Sequence, residues 1–270
     1  MQFTLAGAAL SVLDTADPEQ KVRRSRAIAN DWRGGRIAEI GTAVPPDQPA
    51  RPARPEITPP GKVKRRRINR GREGRVALLH ALAHIELNAI DLAWDIVARF
   101  TEEELPRAFF DDWVKVASEE AVHFGLLSER LNALDAAYGD LPAHEGLWEA
   151  AEKTAGDLLA RLAIVPLVLE ARGLDVTPAM IGKLRAAEDE DSAGVLEIIY
   201  RDEIGHVAIG RRWFGWLCQE RGLDPVATWQ ELVKTHFKGG LKPPFNEQGR
   251  NAAGFPPEFY LPLAPVSGGG

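Results

Sequence analysis

Apolar residues recur every three or four positions through most of residues 74–221, the spacing of helices that bury one face. A first stripe runs from Val76 to Val97, and a second runs from Phe110 to Leu134. A third stretch, about 144–172, contains LLARLAIVPLVLE and is apolar on nearly every side. A fourth has a regular seam at Leu196, Ile199, Gly210, Trp213 and Leu217. Because no segment alternates like a β-strand, the pattern predicts an all-α fold, an antiparallel four-helix bundle.

Local signals set the expected ends of these helices. Gly173 is typical of a helix C-cap and Thr177-Pro178 of a helix start, so we expect the third helix to end near Glu170. A shorter fifth helix is predicted over 224–237, after the fourth long one.

Proline-rich segments flank the predicted bundle, which is expected to occupy 74–238. Residues 1–73 combine a short helix, ADPEQKVRRSRAIANDW, with AVPPDQPARPARPEITPPGK, whose prolines predict an extended arm packed on the body. Residues 239–270 are also rich in proline and glycine, which predicts a non-helical C-terminal strap. The strap is expected to pack back on the helices through Phe245, Phe255, Phe259 and Tyr260.

Acidic residues and histidines interrupt the apolar seams. Glu86 lies on the first seam, and Glu120 fills the missing place in the second. Two Glu-x-x-His segments result, Glu120-Ala-Val-His123 and Glu203-Ile-Gly-His206, in which residues three apart share one helix face. Charges at buried positions are costly unless they are paired or hold a metal ion, so these positions predict a site.

The order of the glutamates identifies the kind of site. One glutamate from each of two helices and Glu-x-x-His from each of two others is the ligand plan of carboxylate-bridged two-metal bundles. Four carboxylates and two neutral imidazoles balance two divalent ions, and these hard donors suit iron or manganese. The predicted ligands are Glu86, Glu120, His123, Glu170, Glu203 and His206.

Several assignments have alternatives. Glu119 and Asp202 compete with the neighbouring ligand glutamates, but the seam spacing favours the ligands named above. Pro166 removes a backbone hydrogen bond one turn before Glu170, which is either a distortion beside a ligand or a tolerated kink.

Other polar and aromatic residues lie near the predicted ligands. His84 points about 200° away from Glu86 around the helix, which favours a role in hydrogen bonding between helices. The alternative is that His84 forms a hydrogen bond to one of the metal ligands and orients it. The aromatic residues on the seams are either core residues or the lining of a pocket for oxygen or substrate. The candidates for a role beside the metals are Tyr200, Trp113, Trp213 and His84.

The segments HALAHIELNAIDLAWD, EEAVHF, LEARGLD and YRDEIGHV resemble the four signature segments of a bacterial ferritin-like family of unknown function, of the DUF455 type. The resemblance to the ferritin-like superfamily covers roughly 74–221. LEAR is also similar, more distantly, to the segment that bears the single glutamate of a tRNA-modifying di-iron hydroxylase. The resemblance implies a di-iron site that activates oxygen.

We therefore expect a di-iron oxidase or hydroxylase with two iron ions, or alternatively manganese or a mixed iron–manganese pair. Its partners would be oxygen or peroxide, a small-molecule substrate and an external electron donor. A ferroxidase and a dimanganese peroxide-handling enzyme use similar ligands. A non-enzymatic helical module that binds RNA through the basic segment 62–75 is a further alternative, and that segment also suits a strap pairing with acidic helix faces.

Composition narrows these alternatives. The net charge of −6 disfavours a nucleic-acid binder, so RNA is the less favoured substrate. A single cysteine, Cys218, excludes an internal disulfide framework and suits a reducing compartment. No apolar run approaches the roughly 20 residues that span a membrane, and the apolar opening MQFTLAGAALSVL lacks the preceding basic residues of a signal peptide. We expect a cytoplasmic protein.

Overall fold

The computed structural model describes residues 4–58 and 71–265, which are mostly α-helical and contain no β-strand. The predicted all-α class is therefore confirmed. The helices are α1 (Leu5–Leu13), α2 (Pro18–Arg33), α3 (Arg72–Arg99), α4 (Arg107–Ala133), α5 (Gly146–Lys153), α6 (Leu158–Ile164), α7 (Ala171–Ala186), α8 (Glu190–Glu220), α9 (Pro225–His236), α10 (Glu247–Ala252) and α11 (Pro257–Tyr260). A π-helical segment, Val165–Glu170, joins α6 to α7, and a 3₁₀ turn, Leu261–Leu263, follows α11.

These elements divide into two compact units. Among the described residues, the first unit comprises 4–58, 71–148 and 183–195, and the second comprises 149–182 and 196–265.

The first unit is built around α3 and α4, which pack along each other. The short connection between them makes the two helices antiparallel. Helix α1 packs on α3 and α2 packs mainly on α4, so the N-terminal region contributes to the core. A buried ion pair between Lys21 and Asp91 ties α2 to α3, and Arg51 of the extended arm reaches the same carboxylate at 3.2 Å.

Helix α3 is long and apolar enough to cross a membrane, but 72% of its most apolar 18-residue window is buried within the protein. That burial is typical of a core helix in a soluble protein. Most of the predicted basic segment 62–75 lies outside the described residues. Of its described part, Arg75 pairs with Asp189 at 2.7 Å, and Arg72 donates to the backbone carbonyls of Leu134 and Asp135.

The prediction for the third helix was wrong about its C-terminal end and about its continuity. The chain breaks after α5, begins a new helix at Leu158 and remains helical through Gly173 and Pro178 to Ala186. Proline inside a helix leaves the carbonyl four residues earlier without its N–H partner. Here that carbonyl belongs to Leu174, and it accepts a hydrogen bond from the Asn246 side chain at 3.0 Å. Asn246, a residue of the C-terminal strap, therefore supplies the hydrogen bond that the Leu174 carbonyl lacks within the helix.

The prediction of a non-helical C-terminal strap was wrong in part, because α10, α11 and the 3₁₀ turn lie within it. Asn246 caps α10 by accepting a hydrogen bond from the Gly249 amide, and Pro256 and Pro257 begin α11. The rings of Phe255 and Phe259 pack edge-on against Trp229 of α9. These contacts form part of the core of the second unit.

Candidate metal centre

Three predicted ligands come together in the first unit, where α3 packs along α4. Glu86 belongs to α3, and Glu120 and His123 belong to α4. Glu86 is 4% exposed, and Glu120 and His123 are fully buried. Each of the three occupies a seam position that would otherwise hold an apolar side chain, which is why the packing of the two helices buries them together.

The donor atoms of this trio are close enough for one metal ion to be shared among them. The His123 Nδ1 atom lies 3.2 Å from Glu86 Oε2 and 3.5 Å from Glu120 Oε2. Each of the three residues offers a ligand atom within 4.8 Å of those of the other two. Two carboxylates and an imidazole are donors that divalent iron, manganese and zinc all accept.

The electrostatics of the trio favour a bound cation. Burial raises the pKa of Glu86 well above its usual range, and the charge of Glu120 raises it further. Burial alone would lower the pKa of His123, but hydrogen bonds to Glu120 and Glu86 raise it to about 11. Protons thus compensate the clustered negative charge, and a divalent ion can take their place because metal binding releases such protons. The trio can hold a metal ion.

The second unit contains the other predicted Glu-x-x-His pair on α8. His206 Nδ1 lies 3.5 Å from Glu203 Oε1, and His206 is fully buried while the Glu203 side chain is 13% exposed. Glu170 is the last residue of the π-helical segment and is half-buried. Of the two alternatives for Pro166, the structure contains the local distortion, as a π-helix that ends at a predicted ligand.

Two contacts fix the register between this segment and α8. Pro166, four residues before Glu170, lies against Gly210, where a Cβ atom would come within 2.3 Å of the proline Cβ. On the other side, the Asn246 side chain bridges Leu174, four residues after Glu170, to the Tyr200 hydroxyl at 2.8 Å. From this antiparallel register, we expect Glu170 to lie at the level of the turn of α8 that carries the Glu-x-x-His pair. The sequence pattern did not reveal the part played by Asn246.

His84 makes its hydrogen bonds away from Glu86. Its Nδ1 lies 2.9 Å from the Tyr138 hydroxyl, and its Nε2 lies 3.0 Å from the carbonyl oxygen of His144. Burial lowers the pKa of His84 to about 4, so the ring is neutral near neutral pH. His84 therefore bonds to the loop between α4 and α5, and not to another helix as expected.

The other aromatic candidates have ordinary ring partners. Trp113 is buried on α4 and packs against Phe109 with ring centroids 6.3 Å apart. Trp213 contacts Trp216 edge-on at 5.7 Å.

Comparison with known proteins gives a family but no solved relative. Residues 14–261 match the family model described as a protein of unknown function, DUF455. A curated relative, an uncharacterized protein of Haemophilus influenzae (strain ATCC 51907 / DSM 11121 / KW20 / Rd), is 41% identical over 263 residues, covering 91% of this chain and 88% of the relative. No solved structure matches the chain significantly. The chain therefore belongs to the DUF455 family, whose model spans both units and all six predicted ligands.

Proposed function

We propose that this protein is a carboxylate-bridged di-iron protein of the ferritin-like type, an oxidase or hydroxylase that activates oxygen. The ligands of its two iron ions are Glu86, Glu120, His123, Glu170, Glu203 and His206. The observation that carries the proposal is the buried trio in α3 and α4, in which two carboxylates share one imidazole. A second Glu-x-x-His pair and a glutamate at the end of a π-helix match that trio in residue type and spacing.

The donor set suits iron or manganese, of which iron is the proposed metal. Buried carboxylates are costly as isolated charges but are favourable around divalent cations, and no thiolate is among the predicted donors. When bound, a pair of reduced iron ions supplies the electrons that convert oxygen into an oxidant for a small organic substrate. An external donor would then return the electrons, and a reducing compartment such as the cytoplasm would favour the reduced metal.

The chain itself would hold the ligands in place and keep water out. Ile90, Trp113 and Phe124 are each no more than 2% exposed and belong to the helices that bear the trio. A dry surrounding strengthens the attraction between carboxylates and metal ions. Because the carboxylates and imidazoles lie on helices and not on loops, their positions are well fixed before any metal binds.

Metal analysis of the purified protein tests the proposal. Protein purified without added metal should carry about two iron atoms per chain, and the double variant Glu120→Ala, His123→Ala should carry fewer than half of them. The matched control is Glu119→Ala, which removes the neighbouring glutamate that pairs with Lys115 at 2.9 Å. Retention of full iron by the double variant, or absence of metal from the wild type even after anaerobic loading with ferrous iron, would overturn the proposal.

The identity of the metal decides the chemistry to be assayed. With iron, the reduced protein should consume oxygen, and a rate that rises with added organic compounds identifies the substrate class. Manganese in place of iron would direct the work to the breakdown of peroxide. A cage-sized particle that takes up many iron atoms per chain would indicate a ferroxidase instead.

A further inference from the structure

The three predicted ligands of the second unit differ in their burial. His206 is fully buried, whereas Glu203, whose side chain is 13% exposed, and Glu170 are only partly buried. These two glutamates therefore form the least buried edge of the predicted ligands in this unit. We expect a substrate to approach from that side.

The C-terminal strap is fixed directly beside that edge. Asn246 donates through its side-chain amide to the hydroxyl of Tyr200, one turn before Glu203 on α8. The same amide donates to the carbonyl of Leu174, one turn after Glu170 on α7. Asn246 therefore spans the two helical segments one turn from this edge.

An ion pair anchors the strap at this position. Arg250 donates to both carboxylate oxygens of Asp175, at 2.8 and 2.7 Å, and both side chains are buried. The Arg250 guanidinium also lies 4.4 Å from the centroid of the Tyr260 ring and 5.1 Å from that of Phe245. A bidentate ion pair in a dry aromatic setting strongly orients both partners.

The fit between strap and helix leaves no spare room. A Cβ atom at Gly249 would lie 2.7 Å from the Tyr200 hydroxyl and 2.9 Å from the Asn246 side-chain nitrogen. Only glycine lets the first turn of α10 approach Tyr200 so closely. The backbone of the strap is thus held against the hydroxyl of Tyr200, one turn before the partly buried Glu203.

We propose that residues 245–250 form the wall of the entrance to the metal centre, and that the Tyr200–Asn246 hydrogen bond sets its width. The inference rests on the proposed function, since it assigns the strap to the same site. In this arrangement Tyr200 and Asn246 are positioning residues that select substrates by size. The helical seams hold the metal ligands, and the strap controls which molecules reach them.

Removal of ferrous iron by two chelators of different size tests this role. The small neutral chelator 2,2′-bipyridine and the bulky sulfonated chelator ferrozine are applied to loaded wild type, Asn246→Ala and Gly249→Ala. The control is Asn251→Ala, an exposed position on the same short helix. Iron content before chelation is measured in every sample, so failure of the entrance hypothesis is separate from failure of the metal centre.

A wider entrance should favour the bulky chelator. We expect the ratio of the ferrozine rate to the bipyridine rate to rise about five-fold or more in at least one of the two variants, with unchanged starting iron and an unchanged ratio in Asn251→Ala. An unchanged ratio in both variants would overturn the inference. Equal acceleration with both chelators would also overturn it, since it would indicate general loosening. Absence of iron from the wild type would overturn the proposed function itself.

Discussion

Pro166 packs directly against Gly210, and the contact links the two helical segments that carry Glu170 and His206. A Cβ atom at Gly210 would lie 2.3 Å from the proline Cβ and 2.5 Å from its Cγ, so only glycine fits. Pro166 precedes Glu170 by one turn, and Gly210 follows His206 by one turn. The π-helix between Val165 and Glu170 shifts the side chains that follow it around the helix axis. The segment Val165–Glu170 therefore sets both its distance from α8 and the direction of the side chains that follow it.

This contact predicts an unusual effect of a small substitution. Alanine normally stabilises a helix by about 1 kcal/mol relative to glycine. We expect Gly210→Ala to destabilise the protein by about 1–3 kcal/mol, because of overpacking against Pro166, and to lower the metal content. Gly194→Ala is the matched control in the same helix, since a Cβ there meets nothing within 4 Å. Thermal unfolding and metal analysis of both variants check the prediction, which fails if Gly210→Ala matches Gly194→Ala in both measurements.

Metal binding should stabilise the trio in α3 and α4. Burial and the charge of Glu120 raise the pKa of Glu86, while hydrogen bonds to Glu120 and Glu86 raise the pKa of His123. A metal ion would replace the protons that compensate the two carboxylates. We expect Glu120→Gln to abolish most of the stabilisation that ferrous iron gives the wild type, because it removes one charged ligand. Denaturant unfolding with and without iron measures this effect. A variant that iron stabilises as much as the wild type would contradict the assignment of Glu120.

The sequence was informative where function lies on a regular helix face. Glu86, Glu120 and His123 interrupt apolar seams of period 3.6, and a seam position is buried in almost any packing of such helices. The period therefore predicts their burial in one cluster, and the structure confirms it. At Pro166 the sequence left a distortion and a tolerated kink as alternatives, because proline cannot donate the helical hydrogen bond, and the structure has a π-helix there.

The sequence was misleading where distant residues compensate a local signal. Pro178 and Gly173 are strong local indications of a helix end, yet α7 continues past both. The carbonyl of Leu174, which Pro178 leaves without a helical donor, is satisfied by Asn246, 72 residues away. Local propensity contains no information about such a partner. For the same reason, the short helices of the strap could not be predicted, since Pro and Gly content alone suggests an extended chain.

The buried ion pair between Lys21 and Asp91 predicts a non-additive response. Burial is the main effect on both groups, lowering the pKa of Lys21 and raising that of Asp91, so the pair is not strongly stabilising overall. We expect Lys21→Met to cost about 2–4 kcal/mol, since it leaves Asp91 with Arg51 as its remaining ionic partner. The double variant Lys21→Met, Asp91→Asn should recover at least half of that loss. Urea unfolding of the single and double variants measures the coupling, and simple additivity would contradict the expectation.

Asp189 predicts how the first unit responds to acid. Burial would raise the pKa of this carboxyl, but hydrogen bonds from Ser192 and Arg75 and the Arg75 charge hold it below its usual value. Arg130 also approaches the carboxylate at 3.2 Å. Because the folded pKa is depressed, the stabilisation is present above the unfolded pKa of about 3.9 and is lost as pH falls through the folded value.

We expect Asp189→Asn to lower the free energy of unfolding at about pH 7, with the difference from wild type shrinking toward about pH 3. Chemical unfolding across this range measures the difference, with Asp191→Asn, at a largely exposed carboxylate, as the control. A constant difference at all pH values would show that Asp189 acts by its shape and hydrogen bonds alone, and not by its charge.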